Sequence, residues 1–169
     1  MKAFFSSLSA CRLLAGLSGC AGYQRGSSVP EAFRTIHVPA FENQTRYPMV
    51  GAVATQQFLD TLIEDGTFDP EELDTARLRL QVIVTDFQAD SVRYDRNNTI
   101  VPTEYYLTMN AKVFLYDAHT GETYINGKQI HATEVMLTRN EFQTGVTDVI
   151  PRLSRKLAKN LLDELQNLR

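Results

Sequence analysis

Tryptophan is absent from these 169 residues, cysteine occurs only twice and histidine only three times. Both cysteines, Cys11 and Cys20, fall in the opening stretch. A domain built from the remainder therefore has no internal disulfide, and packing alone must stabilise it. The histidines, His37, His119 and His131, stand at unrelated places, with no cysteine partners and no His-x-x-x-His pair. That scatter argues against a metal centre. Phosphate-binding loops, a nucleophile elbow and a legible Ser-His-Asp set are also missing, so no enzyme and no dissociable cofactor are expected. A net charge of -3 is too mild to imply nucleic acid. No apolar run approaches the ~20 residues of a membrane-spanning helix.

What is present begins with Lys2, followed by the apolar segment Leu13 to Leu17 and then Leu17-Ser18-Gly19-Cys20. A positive start, a greasy run and small residues before a cysteine have the form of a bacterial lipoprotein signal. Arg12 interrupts the run, leaving an apolar core at the short end of the usual span of about 7 to 15 residues. This resemblance implies cleavage before Cys20 and acylation of its new N-terminus, so a covalent acyl or diacylglycerol group would tether the chain. Ala21 is not the aspartate that holds enteric-type lipoproteins in the inner membrane, which favours the periplasmic side of the outer membrane. The expected division is a signal at 1–19, a lipidated flexible tether at 20–30 rich in Gly and Ser, and a single domain at 31–169.

Within that domain, Ile36, Val38 and Ala40 alternate in a first strand from Arg34 to Phe41, and Pro39 confines it to an edge or ends its pairing. Phe41 to Thr45 reads as a polar turn. A helix from Pro48 to Asp65 is expected to present Ala52, Thr55, Leu59, Leu62 and Ile63, with Gly66 as its left-handed stop. Phe68 to Thr75 reads as a loop. Leu78, Leu80, Val82 and Val84 open a second strand that extends toward Tyr94, before the turn chemistry of Asp95 to Asn98. The third strand alternates most clearly, with Tyr105, Leu107, Met109, Ala111, Val113 and Leu115 on one face. A fourth strand spans Tyr124 to Leu137 and is weakened by Gly127. Thr138 and Glu141 have capping-box spacing before a last helix. Its stripe is Val146, Val149, Ile150, Leu153, Leu157, Leu161, Leu165 and Leu168, with a kink or short break expected at Pro151. The fold class is α+β: a two-layer sandwich in the order β-α-β-β-β-α, with two helices on one face of a four-stranded, mainly antiparallel sheet.

This order of elements resembles the LptE family of lipopolysaccharide-assembly lipoproteins over nearly the whole domain. The local matches are Leu78-Arg79-Leu80, Ser91-Val92-Arg93-Tyr94-Asp95-Arg96-Asn97, Thr103-Glu104-Tyr105 and Met109-Asn110-Ala111. The resemblance implies a non-enzymatic protein that plugs and helps assemble the outer-membrane β-barrel LptD and takes part in lipopolysaccharide transport. It also implies direct binding of lipopolysaccharide. Arg96 and Arg139 match the family's proposed lipid-binding basic positions, and successive strand reversals should bring them to one end of the sheet. Arg93 and Lys128 are further candidates for that patch. Paired guanidinium forks suit phosphate or carboxylate sugars, although a single arginine of this kind is more often a solvated turn or helix-flanking charge than a ligand contact.

Tyr106, Tyr116 and Lys112 share the strand face opposite the buried one, making it polar yet aromatic and a candidate barrel contact. Arg152, Arg155, Lys156 and Lys159 form a basic stripe on the last helix, most simply a solvated face, with an acidic barrel interior as the alternative partner. Val38 to Thr45 also resembles the opening of curli-type secretion-pore subunits and of lipoprotein activators of cell-wall synthases. Those remain rival functions.

Overall fold

The computed structural model describes residues 29–94, 102–137 and 142–167. Cys20, Arg96, Arg139, Leu168, the 95–98 turn and the 138–141 capping box lie outside them. After a 3-10 turn at Glu31–Phe33 come β1 (Thr35–His37), β2 (Glu42–Asn43), α1 (Val50–Asp65) and β3 (Asp69–Pro70). The long strands β4 (Leu78–Tyr94), β5 (Pro102–Asp117) and β6 (Thr123–Leu137) follow, then α2 (Phe142–Gln166).

The sheet has six strands rather than four, and it is mixed. β4, β5 and β6 form the expected antiparallel meander. β1 and β2 lie in succession along the outer edge of β4, both parallel to it, and β3 runs parallel to β1. The expected first strand is thus cut short at His37, ahead of Pro39. β1 pairs with Leu78 and Arg79, whereas β2, inside the expected turn, pairs with Ile83 and Val84. Two-residue strands carry no periodicity; the edge of β4 recruits them by offering unpaired backbone groups.

Both helices cover one face. α2 buries its expected stripe from Val146 to Leu165, and the helix continues unbroken through Pro151 because apolar residues on either side are held in the core. The buried face of α1 is rotated from the expected one: Val50, Ala54, Phe58, Thr61 and Leu62 point inward, while Ala52 and Ile63 are exposed. Gly66, at φ 70°, ends α1 as expected, its N–H donating to Leu62 O at 2.9 Å. Arg155 Nε donates to Gln57 Oε1 at 3.0 Å and Gln166 Nε2 to Asp65 Oδ2 at 2.9 Å, so the helices run side by side in the same direction.

Bulges keep the long strands in phase with the core. β4 buries Leu78, Leu80, Val82 and Val84, then shifts register at Thr85, so that Phe87 is the next buried residue. β6 does the same at Gly127, whose φ of 68° marks the bulge: Ile125 is buried before it, Ile130 and Ala132 after it.

Candidate functional site

The helices leave the other sheet face uncovered by any described element. Its composition follows from the register. From the closed end of the meander upward, Arg79, Tyr116 and Thr123 lie side by side, then Gln81, Phe114 and Asn126, then Ile83, Lys112 and Gln129. Higher up stand Asn110 beside His131 and Thr108 beside Thr133, the two threonine hydroxyls 3.2 Å apart. Tyr106 and Val135 follow, and the last row is Arg93, Glu104 and Leu137.

Tyr106, Lys112 and Tyr116 therefore do share the uncovered face, but strung along β5 rather than clustered; ten residues of strand span about 34 Å. Tyr116 is stacked on Phe114, with ring centroids 6.4 Å apart and planes 4° apart. The Phe114 ring also lies over Gly127: a Cβ there would stand 3.4 Å from it. Strand parity alone points Phe114 to this face, so a sequence signal for it existed.

The upper end is unusually apolar. Among the described residues, five of the eight exposed large hydrophobic side chains, Val92, Tyr94, Tyr106, Val135 and Leu137, belong to the last rows of the meander. Leu137 is 61% exposed. Concentration of such residues at one place marks an interaction surface rather than scattered solvent exposure. Val135 and Leu137 escape a simple alternation reading because the Gly127 bulge reverses the parity of β6.

Arg93 sits at this end, largely exposed and 3.3 Å from Glu104. Tyr94, Leu137 and Phe142, the described residues flanking the segments that carry Arg96 and Arg139, are at the same end: Leu137 pairs with Glu104, and Phe142 packs on Tyr105 at 5.0 Å. Lys128 is elsewhere. It pairs with Val113, nine strand positions or about 30 Å below the Arg93 row, and is ion-paired to Glu164 of α2 at 3.0 Å. The structure thus separates Lys128 from Arg93.

At the closed end, Asp117 is buried and forms an ion pair with Arg77 at 2.6 Å. It accepts the N–H groups of His119 and Thr120, each at 2.9 Å, and the Tyr124 hydroxyl at 3.3 Å. The Thr120 N–H is the largest influence holding its carboxyl down to about 2, with burial opposing and the His119 N–H and Arg77 assisting. Burial, then the Asp117 charge, pushes the Tyr124 phenol up. A carboxylate held ionised in this way is a turn staple, poorly suited to proton transfer near neutrality. Among the described residues no cluster of His, Cys, Asp and Glu has the makings of a metal site, and no helix is long and apolar enough to cross a membrane.

A model of the family described as "LptE: Lipopolysaccharide-assembly" matches residues 33–165. No curated protein matches the chain. Among solved structures, a minor lipoprotein from Acinetobacter baumannii is 11% identical with a TM-score of 0.50, covering 79% of this chain and 93% of that one. A hypothetical protein from Chlamydia trachomatis is 6% identical with a TM-score of 0.52, covering 79% of this chain and 95% of that one. A dodecameric protein, PelC from Paraburkholderia phytofirmans, is 17% identical with a TM-score of 0.43, covering 76% of this chain and 92% of that one. At these identities the first two likenesses concern the fold alone.

Proposed function

From the chain's membership of the LptE lipopolysaccharide-assembly family, we propose that it is an outer-membrane lipoprotein, tethered through acylated Cys20 on the periplasmic side, that plugs and assists assembly of an LptD-type β-barrel in lipopolysaccharide transport. The observation that carries this reading, beside the family match, is the uncovered sheet face. A face meant only for water would need fewer aromatic and large apolar side chains. Here Phe114 and Tyr116 stack in its lower half, and Tyr106, Val135 and Leu137 are exposed in its upper half. Such a face suits contact with a barrel wall, where rings bury area while hydroxyl and amide groups stay hydrogen-bonded.

The upper end would then handle lipopolysaccharide. Arg93, with Arg96 and Arg139 in the adjoining segments, supplies guanidinium groups for phosphate or carboxylate, and the exposed apolar side chains would meet acyl chains or the barrel. Lys128 belongs to the sheet–helix seam and takes no part.

A photo-reactive residue at Tyr106, Lys112 or Tyr116 should cross-link to a large β-barrel in intact membranes. Absence of cross-links from the sheet face would sink the plug arrangement. Lipopolysaccharide binding by the chain carrying Arg96→Ala and Arg139→Ala tests the second part: unchanged affinity removes those arginines from the site.

A further inference from the structure

The two outer edges of the meander are protected to different extents. Gln44 N–H donates to Val84 O at 2.9 Å, so the main chain of Val84 faces β2. Alternation across the antiparallel ladders then turns Ala111 toward β6, where Ile130 is its partner. From Ile130 upward the even-numbered residues of β6 therefore bond to β5, and His131, Thr133, Val135 and Leu137 aim N–H and C=O away from it. Contacts from α2 agree: Asn160 Nδ2 donates to His131 O at 2.8 Å and Lys156 Nζ to Thr133 O at 3.2 Å. These two side chains cap the edge as far as Thr133. Above it, among the described residues, no group bonds the outward main chain of Val135 or Leu137. The matching end of β4 is guarded. A register shift at Thr85, the Phe87 N–H held by Asp86 Oδ1 at 2.8 Å and the exposed charge of Asp90 discourage a strand from adding there. Upper β6 instead exposes the uncharged Thr133, Val135 and Leu137 on the uncovered face.

We propose that the upper edge of β6 takes up an extended segment of the barrel protein as an added strand. Outward N–H and C=O groups at alternate residues are matched by another extended backbone, which supplies both partners at the same repeat. Continuity identifies the source. A strand added beside Val135 and Leu137 widens the uncovered sheet face, the face assigned above to the barrel. A strand of the barrel wall cannot serve, because closure already pairs its main chain on both sides. The occupant is therefore a loop or luminal segment of that protein, of the kind that a plug enclosed by the wall would meet. Its side chains on the Val135 and Leu137 side are apolar, since cross-strand neighbours of like character stabilise the pairing.

Strand addition rests on the plug reading, and the experiment tells their failures apart. The barrel is co-purified from membranes with the full chain, and amide hydrogen exchange is followed residue by residue in the free chain and in the complex. The Thr133 and Val135 N–H groups should exchange quickly in the free chain and at least about tenfold more slowly in the complex, while those of Glu134 and Met136, bonded to β5, stay protected in both. Val135→Pro deletes one outward donor without touching the β5 ladder, a change that an edge strand tolerates. It should cut barrel recovery roughly tenfold, whereas Val135→Thr, which keeps the N–H and the branched shape, should cut it less than about threefold. A thermal midpoint near that of the unaltered chain shows that the proline variant folds; if it does not fold, the exchange pattern alone decides. Recovery of the barrel without slowing at Thr133 and Val135, or equal recovery by the two folded variants, overturns strand addition and leaves the plug reading standing. Failure of the unaltered chain to recover a barrel overturns both.

Discussion

Asp117 Oδ2 lies 2.6 Å from the Arg77 guanidinium, joining the end of β5 to the residue that leads into β4. The same carboxylate organises the β5–β6 turn through the His119 and Thr120 N–H groups. Its folded carboxyl titrates at about 2, below the ordinary 3.8, so the stabilisation is complete above the unfolded value and lost as pH falls through the folded one. Acid unfolding should therefore steepen between about pH 4 and pH 2. Asp117→Asn should flatten that part of the profile and lower the thermal midpoint at neutral pH, since it leaves Arg77 unneutralised. An unchanged slope in a pH series of denaturant melts would contradict this.

Gly51 is required by a close approach. A Cβ there would stand 2.9 Å from Phe41 O and 3.0 Å from Asn43 Cβ, where β2 meets the first turn of α1. The junction is fixed further by Phe41 N–H donating to Thr55 Oγ1 at 2.8 Å and Asn43 Nδ2 donating to Tyr47 O at 2.8 Å. Gly51→Ala should cost about 1–3 kcal/mol from overpacking. Gly66→Ala meets nothing within 4 Å but must hold φ 70°, and should cost nearer 1 kcal/mol. Urea melts that rank the two in the reverse order would show that the β2–α1 contact is soft.

Phe58 is fully buried between the helical layer and the sheet, 5.7 Å from Phe41. Phe58→Ala should destabilise the fold by about 3–5 kcal/mol, one of the largest single losses available here. A loss below about 1 kcal/mol would mean that the cavity collapses, which calorimetry on the purified chain would reveal.

At the upper end of the sheet, stability and function should separate. Val135→Ser with Leu137→Ser removes exposed apolar area and should change stability by no more than about 0.5 kcal/mol per site. Arg93→Ala breaks its pair with Glu104, in which the guanidinium is exposed and the carboxylate side chain is 14% exposed, and should cost about 1 kcal/mol. If this end meets a partner, all three substitutions should reduce recovery of the barrel in affinity purification while leaving the thermal midpoint nearly fixed. Lys128→Ala, at the other end, should leave both recovery and lipopolysaccharide binding unchanged.

The long elements were legible in the sequence because burial on one face imposes a period. The alternation of β5 from Leu107 to Leu115 and the stripe of α2 from Val146 to Leu165 are buried as the sequence implies. A period survives translation into structure when one continuous face is hidden. Gly66 was legible for a similarly local reason, since a left-handed residue after a helix is a backbone requirement. The basic line on α2 and the membership of Tyr106, Lys112 and Tyr116 in one strand face also follow from spacing alone.

Tertiary structure decided what depends on neighbours. The inward face of α1 is set by which side meets the sheet; with Val50, Ala54 and Phe58 buried, Ile63 is left 69% exposed despite its hydrophobicity. β2 and β3 exist because β4 and β1 present open backbone edges, and no two-residue segment announces that by itself. The bulges at Thr85 and Gly127 reverse strand parity, so only the paired register shows that Phe87 turns inward and that Val135 and Leu137 emerge beside Tyr106. Local chemistry determined the elements and their hidden sides, because those obey fixed periods. Pairing across distant segments determined where Arg93, Lys128 and the exposed apolar end stand relative to one another.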